Sequence, residues 1–223
     1  MNTVLETSKY QVNDIDKIRI KPLLNQVSTT GIEFKYLVTI DYWFPMKTYN
    51  RVVKDCSEDR RLIRSFFKSD IKVWSFIELH TDHDQKNYGG YHRHHLVSEI
   101  PRETWLNPTP RMEKWMLEVD PEMVFSVKFG VEPTPQQKME LVKKVLRKLQ
   151  PNSVAQGGLG IDMREVYDLE GVLSYCSKQF EHHHPSYEVI APTSDINLKH
   201  FIENKQYGLN YRGRPQTISS GTY

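Results

Sequence analysis

The rhythm of apolar and polar positions changes along the chain and marks out its elements. Residues 34–44, FKYLVTIDYWF, are rich in β-branched and aromatic side chains and end at Pro45, which predicts a strand. Ser57 to Lys68 predicts a helix: Ser57 as cap, Glu58 and Asp59 in the first turn, then an apolar stripe of Leu62, Ile63, Phe66 and Phe67. Ile71 to His80 alternates. Ile71, Val73, Ile77 and Leu79 fall on one side, with Trp74, Phe76, Glu78 and His80 on the other. A turn-rich stretch follows, and Tyr91 to Ile100 returns as a second strand. The pair predicts a hairpin centred near Lys86, with Glu78 opposite residue 94.

Farther on, Pro110 to Val119 predicts a short helix and Met123 to Gly130 (MVFSVKFG) a strand. Thr134 to Leu149 predicts the clearest helix, with Pro135 at its first position. Gly157 to Gly160 reads as a loop without the Lys and Ser/Thr order of a phosphate-binding P-loop. Ile161 to Tyr167 then reads as a strand and Asp168 to Phe180 as a last helix. Residues 1–32 are polar and mixed and read as an N-terminal arm; residues 185–223 read as a flexible tail. One domain over 33–184 remains, of α+β class, with a central, largely antiparallel β-sheet and packed helices.

Composition narrows the setting. A chain of 223 residues with 38% hydrophobic content can bury one good core. Its net charge of +2 is too small to imply nucleic acid by itself. Two cysteines, Cys56 and Cys176, make no disulfide framework and suit a reducing cytoplasm. Neither a signal peptide nor a membrane-length apolar run is evident, so no membrane partner is expected.

Candidate chemistry sits first in Gly89-Gly90-Tyr91-His92-Arg93-His94-His95. On a strand His92 and His94 point the same way, a ready pair of ligands for a divalent metal, although such pairs also sit idle on sheets. Across the hairpin Glu78 shares their face. Second comes Tyr175-Cys176-Ser177-Lys178-Gln179, where helical spacing groups Tyr175, Lys178 and Gln179. A tyrosine hydroxyl can act as a covalent nucleophile when a cation eases phenolate formation. The same Tyr175 also suits a half-buried residue packed on the sheet beside a surface lysine.

These stretches resemble, in order, the three motifs of the HUH endonuclease superfamily, in particular the nicking domains of rolling-circle replication initiator (Rep) proteins of the single-tyrosine type. Phe34 to Ile40 is similar to their first motif, His92-Arg93-His94-His95-Leu96-Val97 to their metal motif, and Tyr167 to Gln179 to their nucleophile motif. Arg93 departs from the pattern, since the family places a hydrophobic residue between the two His. The resemblance implies a ferredoxin- or RRM-like HUH fold over 33–184. It also implies Mg2+ or Mn2+ on His92 and His94, with Glu78 as third ligand. Gln179 ranks second for that place, and His80 is a third option. Tyr175 is implied as the nucleophile and Lys178 as its helper. The implied substrate is single-stranded DNA at an origin, often a hairpin, with a host helicase and polymerase as partners. Trp74 and Tyr91 are expected to stack on bases and Arg93 to meet a phosphate. The same chemistry would serve a single-tyrosine transposase or a mobilisation relaxase. A reading of another class is a non-catalytic DNA-binding regulator with a structural metal; the absence of CxxC spacing speaks against it.

Overall fold

The computed structural model describes residues 14–42, 48–80, 89–149, 159–181, 190–191 and 194–196. The expected hairpin tip near Lys86, Gly157-Gly158, and His182 to His184 lie outside the described residues. In chain order the elements are α1 (Asp14–Thr30), β1 (Phe34–Tyr42), α2 (Tyr49–Phe67), β2 (Val73–Leu79) and β3 (Tyr91–Ser98). Then come α3 (Arg102–Leu106), α4 (Pro110–Val119), α5 (Pro121–Lys128), α6 (Pro135–Leu149), β4 (Leu159–Glu165), α7 (Leu169–Cys176) and a 3-10 turn (Lys178–Glu181). The strands form one sheet in the order β2-β3-β1-β4, antiparallel at every neighbouring pair. The fold is α+β, a central antiparallel sheet with packed helices.

Helices cover both faces of this sheet. On one, Tyr36, Val38 and Ile40 of β1 and Val97 of β3 pack on Phe66 and Phe67 of α2 and Leu141 and Val145 of α6. On the other, Trp74, Phe76 and Leu96 pack on Leu173 and Cys176 of α7 and on Ile20 and Leu23 of α1. β2 and β3 are therefore buried almost end to end, on both parities. That double cover corrects two expectations: Trp74 and Arg93 are each 0% exposed and present nothing to a base or phosphate outside. Tyr91 is half-buried, its ring edge-on to Tyr49 at 5.7 Å.

Register settles the hairpin. Glu78 pairs with His92, not residue 94, a slip of two that keeps every side chain on its expected face. His80 N–H donates to Gly90 O and Gly89 N–H to His80 O, each at 2.9 Å, and Gly89 holds φ 70, a backbone conformation that favours glycine.

Other expectations give way. The second helix begins at Tyr49, so Ser57 lies inside it and caps nothing. Residues 121–128 are a helix rather than a strand: the Asp120 side chain accepts from Glu122 N–H at 3.0 Å, and Pro121 takes the first position. Residues 14–30 of the supposed arm are a helix whose Ile20 and Leu23 are fully buried. The supposed tail contributes as well. Ile190 bridges Phe76 on the side of β2 away from β3, and Asp195 accepts from Val73 N–H at 2.7 Å while pairing with Arg64 at 2.7 Å and Arg60 at 3.1 Å. Among the described residues no helix is long and apolar enough to cross a membrane.

Candidate metal centre

Strand alternation and antiparallel pairing bring three donor atoms together on the α7 side of the sheet. Nε2 of His94 lies 3.0 Å from Oε2 of Glu78, Nε2 of His92 lies 3.4 Å from the same oxygen, and the two imidazole nitrogens are 3.0 Å apart. Glu78, His92 and His94 are all buried.

The donor set fits a divalent first-row ion, because imidazole and carboxylate both suit that class and three protein ligands leave positions open. Two nitrogens each about 2.1 Å from a common centre and at right angles stand about 3.0 Å apart, the spacing seen here. Oγ1 of Thr39 lies 2.9 Å from Nδ1 of His94; a ring protonated at Nδ1 donates to that hydroxyl and leaves Nε2 bare for a ligand bond. Nδ1 of His92 is buried without a partner among the described residues, an unsatisfied polar atom at the rim of the donor group.

Electrostatics separate the three. Burial dominates at His94 and pushes its ring down to about 4, so it is neutral at neutral pH. Burial opposes ionisation of Glu78, but the adjoining His92 and His94 rings win and hold the carboxyl far below the usual carboxylate range. A neutral imidazole facing an ionised carboxylate is the protonation state in which both can ligate a metal.

The end of α7 closes over this group. Asp168 caps the helix, its side chain accepting from Gly171 N–H at 3.0 Å. The ring of Tyr175 stands edge-on to His94, with centroids 5.3 Å apart. Nζ of Lys178 lies 2.5 Å from Oε1 of Glu78 and 4.1 Å from the centre of the Tyr175 ring. Burial raises the pKa of Tyr175, and the Lys178 ammonium pulls against that rise without cancelling it. Burial alone would lower Lys178; the Glu78 carboxylate outweighs it and keeps the ammonium charged.

The other sequence candidates fall differently. Gln179 is taken up by the backbone of β2: Leu79 N–H donates to its Oε1 at 2.9 Å and its Nε2 donates to Leu79 O at 2.6 Å. His80 stacks on His92 at 4.2 Å and turns Nε2 to Asp41, 3.0 Å away. Arg93 crosses to the opposite face, where Nε donates to Asp59 at 2.6 Å beneath the sheet. There His95 lies between Ser75 and Asp59 at 2.9 and 3.0 Å, in the order of a hydrolase triad, yet all three are sealed from solvent and no substrate reaches them.

Sequence reasoning missed Thr39 and Asp41. Their signal was available: they alternate with the apolar Val38 and Ile40, so β1 sends them to the face that holds the His pair. No protein-family model matches the chain, and no curated protein or solved structure matches it.

Proposed function

We propose that the protein is a metal-dependent nicking enzyme for single-stranded DNA, of the kind that starts rolling-circle replication, with Tyr175 as nucleophile. One observation carries the reading. A tyrosine in the last turn of α7 and a lysine three residues later, at the start of the 3-10 turn, stand against a buried Glu–His–His group built by a hairpin some eighty residues earlier in the chain. Packing alone does not call for two imidazoles, a carboxylate, an ammonium and a phenol in mutual reach.

Glu78, His92 and His94 would hold the ion, Mg2+ or Mn2+ by the family resemblance. A divalent ion held there would draw charge from the non-bridging oxygens of a scissile phosphate. Tyr175 Oη attacks phosphorus and forms the Tyr–O–P bond while the bond from phosphorus to the 3′ oxygen breaks. The products are a 5′-phosphotyrosine link and a 3′-hydroxyl, which takes up the proton that the phenol gives away. Lys178 steadies the negative charge as it passes from phenolate to phosphate. Thr39 keeps the His94 ring turned inward throughout. Because the phosphoester bond energy stays in the tyrosyl link, a later 3′-hydroxyl can reverse the step without ATP.

A covalent-adduct gel tests this. Wild-type protein and Tyr175→Phe are incubated with a randomised single-stranded DNA pool in Mn2+ or in EDTA. A band that survives SDS, requires Mn2+ and is lost in Tyr175→Phe is the expected result. Folded protein that binds DNA and yields no adduct in any condition would overturn the enzyme reading and leave a metal-holding DNA-binding module. An adduct that persists in Tyr175→Phe would move the nucleophile elsewhere.

A further inference from the structure

Tyr175 and Lys178 straddle the end of α7, so the geometry of that last turn decides where both side chains stand. Helix C-termini leave carbonyls without partners inside the helix, and the turn frays unless something outside holds it. Here the holder comes from α1. Nη2 of Arg19 donates to Ser174 O and approaches Ser174 Oγ, each at 3.2 Å, while its Nε donates to Ser177 Oγ at 3.1 Å. The Ser177 hydroxyl passes the connection on, donating to Leu173 O at 2.6 Å.

Ser174 and Ser177 are both fully buried, so each must find partners inside the protein. They are also the residues immediately before Tyr175 and Lys178. A guanidinium is a rigid planar fork, and one that grips two points a turn apart fixes rotation about the helix axis as well as position. Its charge also suits the negative end of the helix dipole. The three bonds all end on Ser174 or Ser177, none on a metal donor.

We propose that Arg19 is a positioning residue for the nucleophile: it locks the last turn of α7 so that Tyr175 and Lys178 face Glu78 and His94. The inference rests on the reading of Tyr175 as nucleophile. On it, α1 is a working part of the site.

The test uses the full chain as wild type, Arg19→Ala and Arg19→Lys. Adduct formation is timed in single turnover with Mn2+ and rising concentrations of the randomised single-stranded DNA pool. Mn2+ affinity comes from titration calorimetry and backbone order in residues 171–178 from hydrogen exchange. Arg19→Ala is expected to lower the maximal rate by about tenfold to a hundredfold, the scale of a small misplacement of a reacting group. Mn2+ affinity and half-saturating DNA should stay unchanged, and exchange should quicken in 171–178 and not across the sheet. Arg19→Lys should fall between, and added methylguanidinium should restore part of the rate to Arg19→Ala alone. Unchanged rate and exchange would overturn the proposal. So would a loss of Mn2+ affinity in step with the rate, which marks a general structural role. If wild type yields no adduct, the nuclease reading falls, and exchange decides separately on the clamp. Quickening confined to 171–178 keeps it, and no change ends it.

Discussion

The ammonium of Lys178 touches two groups at once: it lies 2.5 Å from the Glu78 carboxylate and 4.1 Å from the centre of the Tyr175 ring. A single cation thus joins the donor group to the tyrosine, and the two sides make opposite demands on it. On the proposed mechanism the carboxylate would be a better metal ligand without a competing ammonium, and the tyrosine a better nucleophile with one.

Lys178→Met should therefore split two properties. Mn2+ binding, read by calorimetry, should tighten several-fold as a like charge leaves the site. Adduct formation should fall by about a hundredfold or more, the usual scale for losing one preorganised charge partner. A variant that loses both together would mean that Lys178 serves only to hold Glu78 in place.

Metal should stabilise the fold, because the donors converge only when the hairpin is formed. A ligand at one hundred times its dissociation constant adds about 2.7 kcal/mol, which for a chain of this size raises Tm by roughly 5–10 °C. Scanning calorimetry in Mn2+ and in EDTA should show that rise for wild type and none for His92→Ala or His94→Ala.

Acid should weaken the metal-free protein in a defined window. Burial holds His94 neutral down to about 4, whereas the unfolded ring takes up its proton near 6.5. Between those values the unfolded chain binds more protons than the folded one, so stability falls as pH drops from 6.5 towards 4. The shift corresponds to about 3 kcal/mol at its limit. Glu78, held low, adds its own loss as pH falls through the ordinary carboxylate range and below it. Urea midpoints in EDTA at several pH values should trace this decline, and His94→Asn should flatten it.

On the far face, Asp59 accepts from Arg93 at 2.6 Å and meets His95 at 3.0 Å, all three being 0% exposed. Burial opposes ionisation of Asp59, but Arg93 and His95 win and keep its pKa lowered. Asp59→Ala removes the carboxylate that offsets the buried Arg93 charge and should cost about 3–5 kcal/mol in urea unfolding. Asp59→Leu combined with Arg93→Met should recover much of that loss, since no charge is left behind.

Much of the site was legible because strand parity is robust. The hairpin register differs by two residues from the one the sequence predicts, yet Glu78, His92 and His94 still share a face, since only an odd slip moves a side chain across the sheet. Exposure was not legible. Trp74 and Arg93 look like surface residues on the assumption of a one-sided sheet, and here helices cover both sides. The second cover was hidden because α1 has a polar sequence interrupted by Pro22, with little apolar stripe. MVFSVKFG reads as a strand by composition; the signal that overrides it is Asp120-Pro121, a cap followed by a helix-starting proline. Ile190 and Asp195 carry no local pattern at all, and only contacts with β2 and α2 give them a place.

The three candidate metal donors lie within seventeen consecutive residues of one hairpin, while Tyr175 and Lys178 follow about eighty residues later. Closing the short loop takes little chain entropy, and closing the long one takes more. During synthesis the half that carries Glu78, His92 and His94 can form while α7 is still being made, and an ion captured early would staple the hairpin on which the other strands assemble. The half that carries the proposed nucleophile arrives last. On the proposed function, a nascent or partly folded chain would hold its ion before Tyr175 is in place, and strand cleavage would be withheld until the protein is built.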